Sequence, residues 1–156
     1  MKNNEDYMRE AIKLSLKNVD EGGGPFGAVI VKNGEVIAKG TNRVTSSNDP
    51  TAHAEINAIR EATRKLGTFD LSGCQIYSSC EPCPMCLGAI YWAHLDQIYF
   101  ANTKNDARDI DFDDSFIYEE LEKSIEHRKI PTRQVLREEA IAAFEKWRNK
   151  EDKIEY

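Results

Sequence analysis

The stretches that decide the fold are His53-Ala54-Glu55 and Pro82-Cys83-Pro84-Met85-Cys86. Together they supply one imidazole and two thiols, which are ligand types that zinc prefers in a tetrahedral shell. A catalytic zinc site uses three protein ligands and keeps one position for water. We therefore expect His53, Cys83 and Cys86 to bind one zinc ion, with water or hydroxide as the fourth ligand. Glu55 is then free to move protons instead of binding metal.

Both stretches are predicted to lie at the starts of helices. Asp49-Pro50-Thr51 has residues that can cap a helix running through Leu66, with His53 and Glu55 in its first turn. A second helix is predicted from about Cys83 to Trp92. Cysteines three apart share one face of a helix, and the helix dipole favours thiolates at its N-terminus. The zinc ion is therefore expected between the starts of two helices.

Apolar runs bounded by turn residues predict the strands. Asn33-Gly34 separates the apolar runs 28–31 and 36–38, which is the pattern of a two-residue hairpin. Further strands are predicted at 75–78 and 97–100, and a short fifth strand at 133–136. The segment 102–114 is expected to be a polar, acidic loop.

Helical spacing of apolar residues predicts elements at both ends of the chain. Over residues 6–19 an amphipathic helix is expected, with an apolar stripe made by Met8, Ile12, Leu16 and Val19. Near the C-terminus, a short helix is predicted at 115–123 and a longer one at 137–150. The order of elements predicts an α/β fold in which helices cover the faces of a mixed sheet.

Length and charge narrow the class of protein. A chain of 156 residues fits a single domain over 1–156. The net charge of −6 disfavours a nucleic-acid partner, because phosphate binding needs a basic surface. The start of the sequence is polar and acidic, and no stretch approaches the ~20 apolar residues of a membrane span. We therefore expect a cytoplasmic protein without membrane contact.

The four cysteines lie close together in the sequence, between Cys74 and Cys86. This clustering favours metal binding over a disulfide framework. A closed structural zinc site is the alternative, with Cys80 or Cys74 as a fourth ligand, since Cys80 and Cys83 repeat the spacing of Cys83 and Cys86. That alternative leaves Glu55 without a role.

On these motifs the chain resembles the cytidine deaminase-like superfamily, and within it the bacterial guanine deaminases. The most specific stretches are 24–31, 45–58 and 78–92, while 112–118 and the terminal tyrosine resemble the guanine-specific branch. The resemblance implies a three-layer α/β/α sandwich with a mixed central sheet of about five strands. It also implies a homodimer, one zinc ion per chain, and hydrolysis of guanine, a purine base, to xanthine and ammonia.

The same resemblance implies roles for individual residues. Glu55 would be the proton shuttle, and His53, Cys83 and Cys86 the zinc ligands. The residues expected to line or close the base pocket are Phe26, Asn42, Ala54, Trp92, Asp114 and Tyr156. The helical segment 115–156 would close the active site.

Three other functions are consistent with the zinc motifs. A tRNA adenosine deaminase has the same motifs, but it needs a basic groove, and the tail 147–156 is mixed in sign. Cytosine or another amino-substituted heterocycle is a second alternative substrate. A noncatalytic, zinc-stabilised interaction module is the third, and it would not need the carboxylate of Glu55.

Overall fold

The computed structural model describes residues 1–156, and its centre is one sheet of four strands. These are β1 (Gly27–Lys32), β2 (Glu35–Thr41), β3 (Cys74–Cys80) and β4 (Gln97–Asn102), in the order β2-β1-β3-β4. β1 is antiparallel to β2 and β3, whereas β3 and β4 are parallel, so the sheet is mixed. Asn33 and Gly34 have φ values of 51° and 79°, as a two-residue hairpin turn requires. The predicted hairpin is therefore confirmed.

The predicted fifth strand at 133–136 is wrong. No regular structure forms between residues 131 and 136, and Leu136 has a left-handed φ of 57° where the last helix begins. A residue in the left-handed conformation cannot continue a strand, and Leu136 directly precedes the last helix. The sheet therefore has four strands and not five.

Seven α-helices surround the sheet or follow it: α1 (Asn4–Asp20), α2 (Val44–Ser47), α3 (Ala54–Leu66), α4 (Pro84–Trp92), α5 (Lys104–Arg108), α6 (Ser115–Glu122) and α7 (Arg137–Arg148). A 3₁₀ helix spans Ile125–His127. α5 lies in the segment expected to be a loop. It forms because Thr103 and Asp106 make a capping box, in which each side chain accepts a backbone N–H of the other residue.

The two faces of the sheet bury different side chains, which gives the sandwich its layers. On one face Ala28 and Ile30 of β1 belong to a core that includes Ala58 of α3. On the other face Val29 and Val31 pack with Tyr7 of α1. Alternate residues of one strand thus contact helices on opposite sides. The α/β/α architecture is confirmed.

The first helix buries a different face from the one predicted. Ile12, Leu16 and Val19 are exposed, whereas Tyr7 and Ala11 are buried. α1 lies very close to β1, because a Cβ atom placed on Gly27 would be 2.4 Å from the carbonyl oxygen of Ala11. Such an approach requires small residues at the contact, and this favours the face that carries Ala11 over the face with larger apolar residues.

The chain forms two compact units, Met1–Asp114 and Ser115–Tyr156. The first contains the sheet and both cores. The second contains α6, the 3₁₀ helix and α7, and none of its residues is buried. No helix in the chain combines the length and the apolar character that crossing a membrane requires.

Candidate metal centre and active site

Two helix starts carry the candidate metal ligands. His53 is the N-cap residue of α3, with φ −72° and ψ 160°, and Cys83 is the N-cap of α4, with φ −67° and ψ 170°. Pro84 follows Cys83 at the start of α4, where its missing N–H costs nothing. Asp49 does not cap α3 as predicted, because its carboxylate accepts the backbone N–H of Thr51 in a local turn.

The three ligand atoms have the geometry of a tetrahedral zinc site. Nδ1 of His53 lies 3.5 Å from Sγ of Cys83 and 3.5 Å from Sγ of Cys86. All three atoms lie within 4.8 Å of one another. Zinc bonds of about 2.0 Å to nitrogen and 2.3 Å to sulfur, at a tetrahedral angle, place the two atoms about 3.5 Å apart. The group is therefore positioned to bind one zinc ion, as predicted.

One of the two ligand thiols, Cys83, favours the deprotonated form that a metal requires. Hydrogen bonds from Cys86 and His53 hold the pKa of Cys83 at about 4, against burial. The hydrogen bond that Cys86 donates to Cys83, together with burial, raises the pKa of Cys86. The hydrogen bond with Cys83 also raises the pKa of His53. Cys83 therefore favours the thiolate, whereas Cys86 favours the protonated thiol.

Glu55 lies in the first turn of α3 beside this cluster. Its side chain is only 6% exposed. Burial raises the pKa of Glu55, and hydrogen bonds with Cys86 and a backbone N–H offset this only in part. A carboxyl group whose pKa is raised accepts a proton more readily than an ordinary carboxylate, which suits a group that acts in general acid–base catalysis.

The other two cysteines do not complete a closed zinc site. Cys80 Sγ lies 3.7 Å from the carbonyl oxygen of Thr103 and is directed to it as a donor. Burial raises the pKa of Cys80 to about 11, so that it stays a thiol. Cys74 is fully buried, and burial raises its pKa too. Neither belongs to the group of converging ligand atoms.

Phe26 and Asn42 are neighbours in the structure. The backbone N–H of Asn42 donates to the carbonyl oxygen of Phe26 at 3.3 Å. The side-chain Oδ1 of Asn42 accepts the N–H of Val44 at 3.2 Å, which fixes the orientation of the carboxamide. The Phe26 ring is half-buried and packs against the Phe112 ring in a T-shaped arrangement. These contacts bring the two residues together at the end of β2.

The remaining predicted pocket residues have different surroundings. The Ala54 side chain is fully buried in the core, so that any contact of Ala54 with a substrate is restricted to its backbone. Burial raises the pKa of Asp114, and the charge of Cys83 is close enough to contribute to this shift. Trp92 is 67% exposed at the end of α4. Tyr156 belongs to the C-terminal unit and is 75% exposed, and its part in the site stays a prediction.

The His, Cys, Cys cluster and the fold match a known family. The family model for the cytidine and deoxycytidylate deaminase zinc-binding region matches residues 1–102. The chain belongs to this family of zinc-binding deaminases. The match covers all three ligands and Glu55, and zinc is therefore the metal for which the cluster is built.

Individual deaminases differ in how much of the chain they resemble. Guanine deaminase from Bacillus subtilis is 53% identical over 155 residues, which is 99% of each chain. Its crystal structure has a TM-score of 0.97 to this one and covers 99% of each chain, at 52% identity. The structure of guanine deaminase from Nitrosomonas europaea has a TM-score of 0.70 and 36% identity, covering 73% of this chain and 66% of its own. The tRNA-specific adenosine deaminase of Bacillus subtilis is 43% identical over 100 residues, which is 64% of this chain and 62% of its own.

Three residues of this deaminase contact the candidate site but were not predicted individually as site residues, although two of them lie in the stretches 45–58 and 112–118. Asn18 and Asn57 bond the backbone on either side of Asn42, and Phe112 packs on Phe26. Asn57 lies four residues after the ligand His53, which was a further available signal for it. Asn18 lies in a charged helix without any pattern that distinguishes it.

Proposed function

We propose that this chain catalyses the hydrolytic deamination of guanine to xanthine and ammonia. The observation that carries the proposal is the extent of its similarity to guanine deaminases. The Bacillus subtilis guanine deaminase matches 99% of the chain, whereas the tRNA-specific enzyme of the same organism matches only 64%. The full-length similarity to the Bacillus subtilis guanine deaminase thus includes the C-terminal segment, which does not contribute a metal ligand.

The proposed mechanism is centred on Glu55. Zinc held by His53, Cys83 and Cys86 would lower the pKa of a bound water toward ~7, so that it becomes a nucleophile at neutral pH. Glu55 accepts a proton from the water and delivers it to the ring nitrogen beside the carbon that carries the amino group. The attacked carbon becomes tetrahedral. Glu55 then takes a second proton from the oxygen added to this carbon and transfers it to the amine. The C–N bond breaks, ammonia leaves, and the oxygen becomes a carbonyl oxygen of xanthine. Proton transfer of this kind contributes typically about 10²–10⁴-fold.

The proposed base pocket uses six residues besides the metal ligands and Glu55. Phe26 offers its ring for stacking on the purine, and the oriented carboxamide of Asn42 bonds the edge of the base. Asp114 supplies an acceptor for the N1–H and the exocyclic amine of guanine. Ala54 would contribute its backbone. Trp92 and Tyr156, with the segment 115–156, are proposed to close the pocket.

We also propose that the protein is a homodimer in the cytoplasm. In the C-terminal unit large apolar residues are exposed, including Phe116, Leu121, Phe144 and Trp147. A second copy is the partner that would remove this surface from water. All four cysteines are free thiols, which is the state that a reducing compartment maintains. Sedimentation equilibrium is expected to give twice the chain mass, and a monomer at micromolar concentration would contradict the dimer.

The substrate is tested by measuring ammonia release from guanine, guanosine, cytosine, adenine and a tRNA anticodon stem-loop. We expect guanine to be the best substrate by a wide margin in kcat/KM. The net charge of −6 disfavours the RNA loop, for which the similarity to tRNA-specific deaminases is the one supporting observation. Guanine left unchanged beside a deaminated RNA loop would overturn the proposal. No turnover of any compound by zinc-loaded protein would favour a noncatalytic zinc module.

A further inference from the structure

Two asparagines outside the metal centre bond consecutive carbonyl groups at the end of β2. We propose that Asn18 and Asn57 are positioning residues, which fix the base-binding Asn42 in space relative to Phe26 and the metal ligand His53. The inference rests on the proposed function, since it takes Asn42 as a residue that contacts the substrate. It assigns a role in substrate binding to two residues that take no part in metal binding or proton transfer.

Asn18 joins the last turn of α1 to both sides of the base pocket. Its carboxamide is almost buried, and the side chain as a whole is 8% exposed. Nδ2 donates to the carbonyl oxygen of Gly24 at 2.7 Å and to that of Asn42 at 2.9 Å. Both N–H bonds of the carboxamide are therefore used. Gly24 lies two residues before Phe26, so that one side chain connects the segments of both proposed base contacts.

Asn57, on α3, connects the end of β2 to the segment before His53. Its Nδ2 donates to the carbonyl oxygen of Thr41 at 2.8 Å and to that of Ala52 at 3.3 Å. Ala52 directly precedes the ligand His53, and the backbone N–H of Arg43 donates to the same Ala52 oxygen at 2.9 Å. The residue before Asn42 and the residue after it are thus both connected to the segment that carries His53.

The fit around Asn18 is close. A Cβ atom placed on Gly23 would lie 2.4 Å from Nδ2 of Asn18, and one placed on Gly24 would lie 3.2 Å from Cγ of Asn42. The first distance is too short for any real contact, so a side chain at position 23 would displace the carboxamide of Asn18. The glycines before Pro25 therefore leave room for the bonds that hold Asn42.

All four bonds end on backbone carbonyl groups, so neither asparagine has a donor left for a substrate. Their effect on catalysis must pass through Asn42 and Phe26. A displacement of about 1 Å at a positioning contact is enough to cost up to 10²-fold in rate. Loss of either carboxamide is therefore expected to weaken guanine binding and leave the zinc ligands in place.

The test compares Asn18→Ala and Asn57→Ala with Asn4→Ala as the matched control. Asn4 is the first residue of α1 and lies at the opposite end of the helix from Asn18. Its Oδ1 accepts a hydrogen bond from the hydroxyl of Tyr77 at 2.8 Å. We expect the first two variants to raise KM for guanine about tenfold, to change kcat by less than about threefold, and to retain one zinc per chain. Asn4→Ala is expected to lower the unfolding temperature without changing KM.

Two further variants separate positioning from stability. Asn18→Asp keeps the shape but cannot donate, and it should raise KM at least as much as Asn18→Ala. In an Asn42→Ala background, Asn18→Ala should raise KM by a smaller factor than in the parent, because one of the two contacts through which it acts is gone. An equal increase in both backgrounds would overturn the inference. So would an unchanged KM in Asn18→Ala and Asn57→Ala.

Amide hydrogen exchange tests the inference independently of any substrate. The backbone N–H groups of Asn42, Arg43 and Val44 all donate within this part of the chain. They should exchange at least about tenfold faster in Asn18→Ala and Asn57→Ala than in the parent, and at the parental rate in Asn4→Ala. Parental exchange in the first two variants would contradict the positioning role even if guanine is turned over. Inactivity of the parent toward guanine would reject the proposed function alone.

Discussion

The rings of Phe26 and Phe112 form an edge-to-face pair, with centroids 5.0 Å apart and planes at 88°. Such edge-to-face pairs contribute about 0.5–1.5 kcal/mol beyond the area that they bury. The contact fixes the plane of the ring that we propose to stack on guanine. It also joins the segment after β4, which leads to Asp114, to the glycine-rich segment before β1.

Replacing Phe112 by alanine should therefore weaken guanine binding. We expect a rise in KM of about 3–10-fold, because Phe26 loses the partner that holds its ring plane, with a smaller change in kcat. The measurement is steady-state ammonia release. Ile110→Ala is the control, since this exposed side chain lies in the same segment and should leave KM unchanged. Equal KM values for Phe112→Ala and the parent would contradict the role of the ring pair.

Replacing Glu55 by glutamine should remove the proposed proton shuttle and keep the metal. The amide cannot accept a proton from water, so kcat should fall by about 10²–10⁴-fold, while zinc analysis still finds one ion per chain. Glu61→Gln is the matched control on the same helix, and it should retain parental kcat. Turnover by Glu55→Gln at the parental rate would show that another group carries the proton.

Zinc content should depend on two cysteines and not on the other two. Cys83→Ala and Cys86→Ala are expected to lose zinc and activity, because two ligands do not hold the ion in a tetrahedral site. Cys80→Ser is the control, since the Cys80 thiol is directed to the Thr103 carbonyl and keeps a pKa of about 11. The measurement is the zinc content per chain of each variant after dialysis. Loss of zinc from Cys80→Ser would support the alternative of a closed structural zinc site with Cys80 as the fourth ligand.

The metal centre could be predicted from sequence because its determinants are local. His53, Cys83 and Cys86 are of residue types that zinc selects, and Pro84 marks the start of the helix that carries the two cysteines. Asn33 and Gly34 predicted the hairpin for the same reason, since a two-residue turn needs positive φ values that these residues adopt.

The features that were missed depend on contacts between distant segments. The buried face of α1 is decided by its approach to Gly27, and the spacing of Ile12, Leu16 and Val19 contains no information about it. Asn18 acquires its role only when Asn42, 24 residues later, is brought beside it. The expected strand at 133–136 followed from composition alone, and Leu136 took a left-handed conformation instead.

Asp114 and Tyr156 should affect guanine turnover without affecting the metal. Asp114→Asn replaces the proposed acceptor of the guanine N1–H and amine by a group with one acceptor fewer, and about a tenfold or larger fall in kcat/KM is expected. Deletion of Tyr156 should also lower kcat/KM if the C-terminal residue closes the pocket. Zinc content should stay at one per chain in both variants. Unchanged guanine kinetics in both would discard the proposed pocket closure.

A side chain at Gly40, the glycine of β2, should lower the stability of the protein. A Cβ atom there would lie 2.1 Å from the carbonyl oxygen of Ala54 and 2.5 Å from the amide nitrogen of Ala58, both in the backbone of α3. The helix would have to move away from the sheet, which costs about 1–3 kcal/mol or more, and a shift of roughly 2–4 °C in the unfolding temperature accompanies each kcal/mol. Because His53 is the N-cap of α3 and Glu55 lies in its first turn, Gly40→Ala should lower kcat as well. Gly88→Ala is the control, since nothing lies within 4 Å of its Cβ position and alanine favours the helix. The measurement is thermal unfolding monitored by circular dichroism. The unfolding temperature of Gly40→Ala should lie well below that of the parent, and that of Gly88→Ala should equal or exceed it. A Gly40→Ala variant as stable and active as the parent would contradict the close packing of α3 on β2.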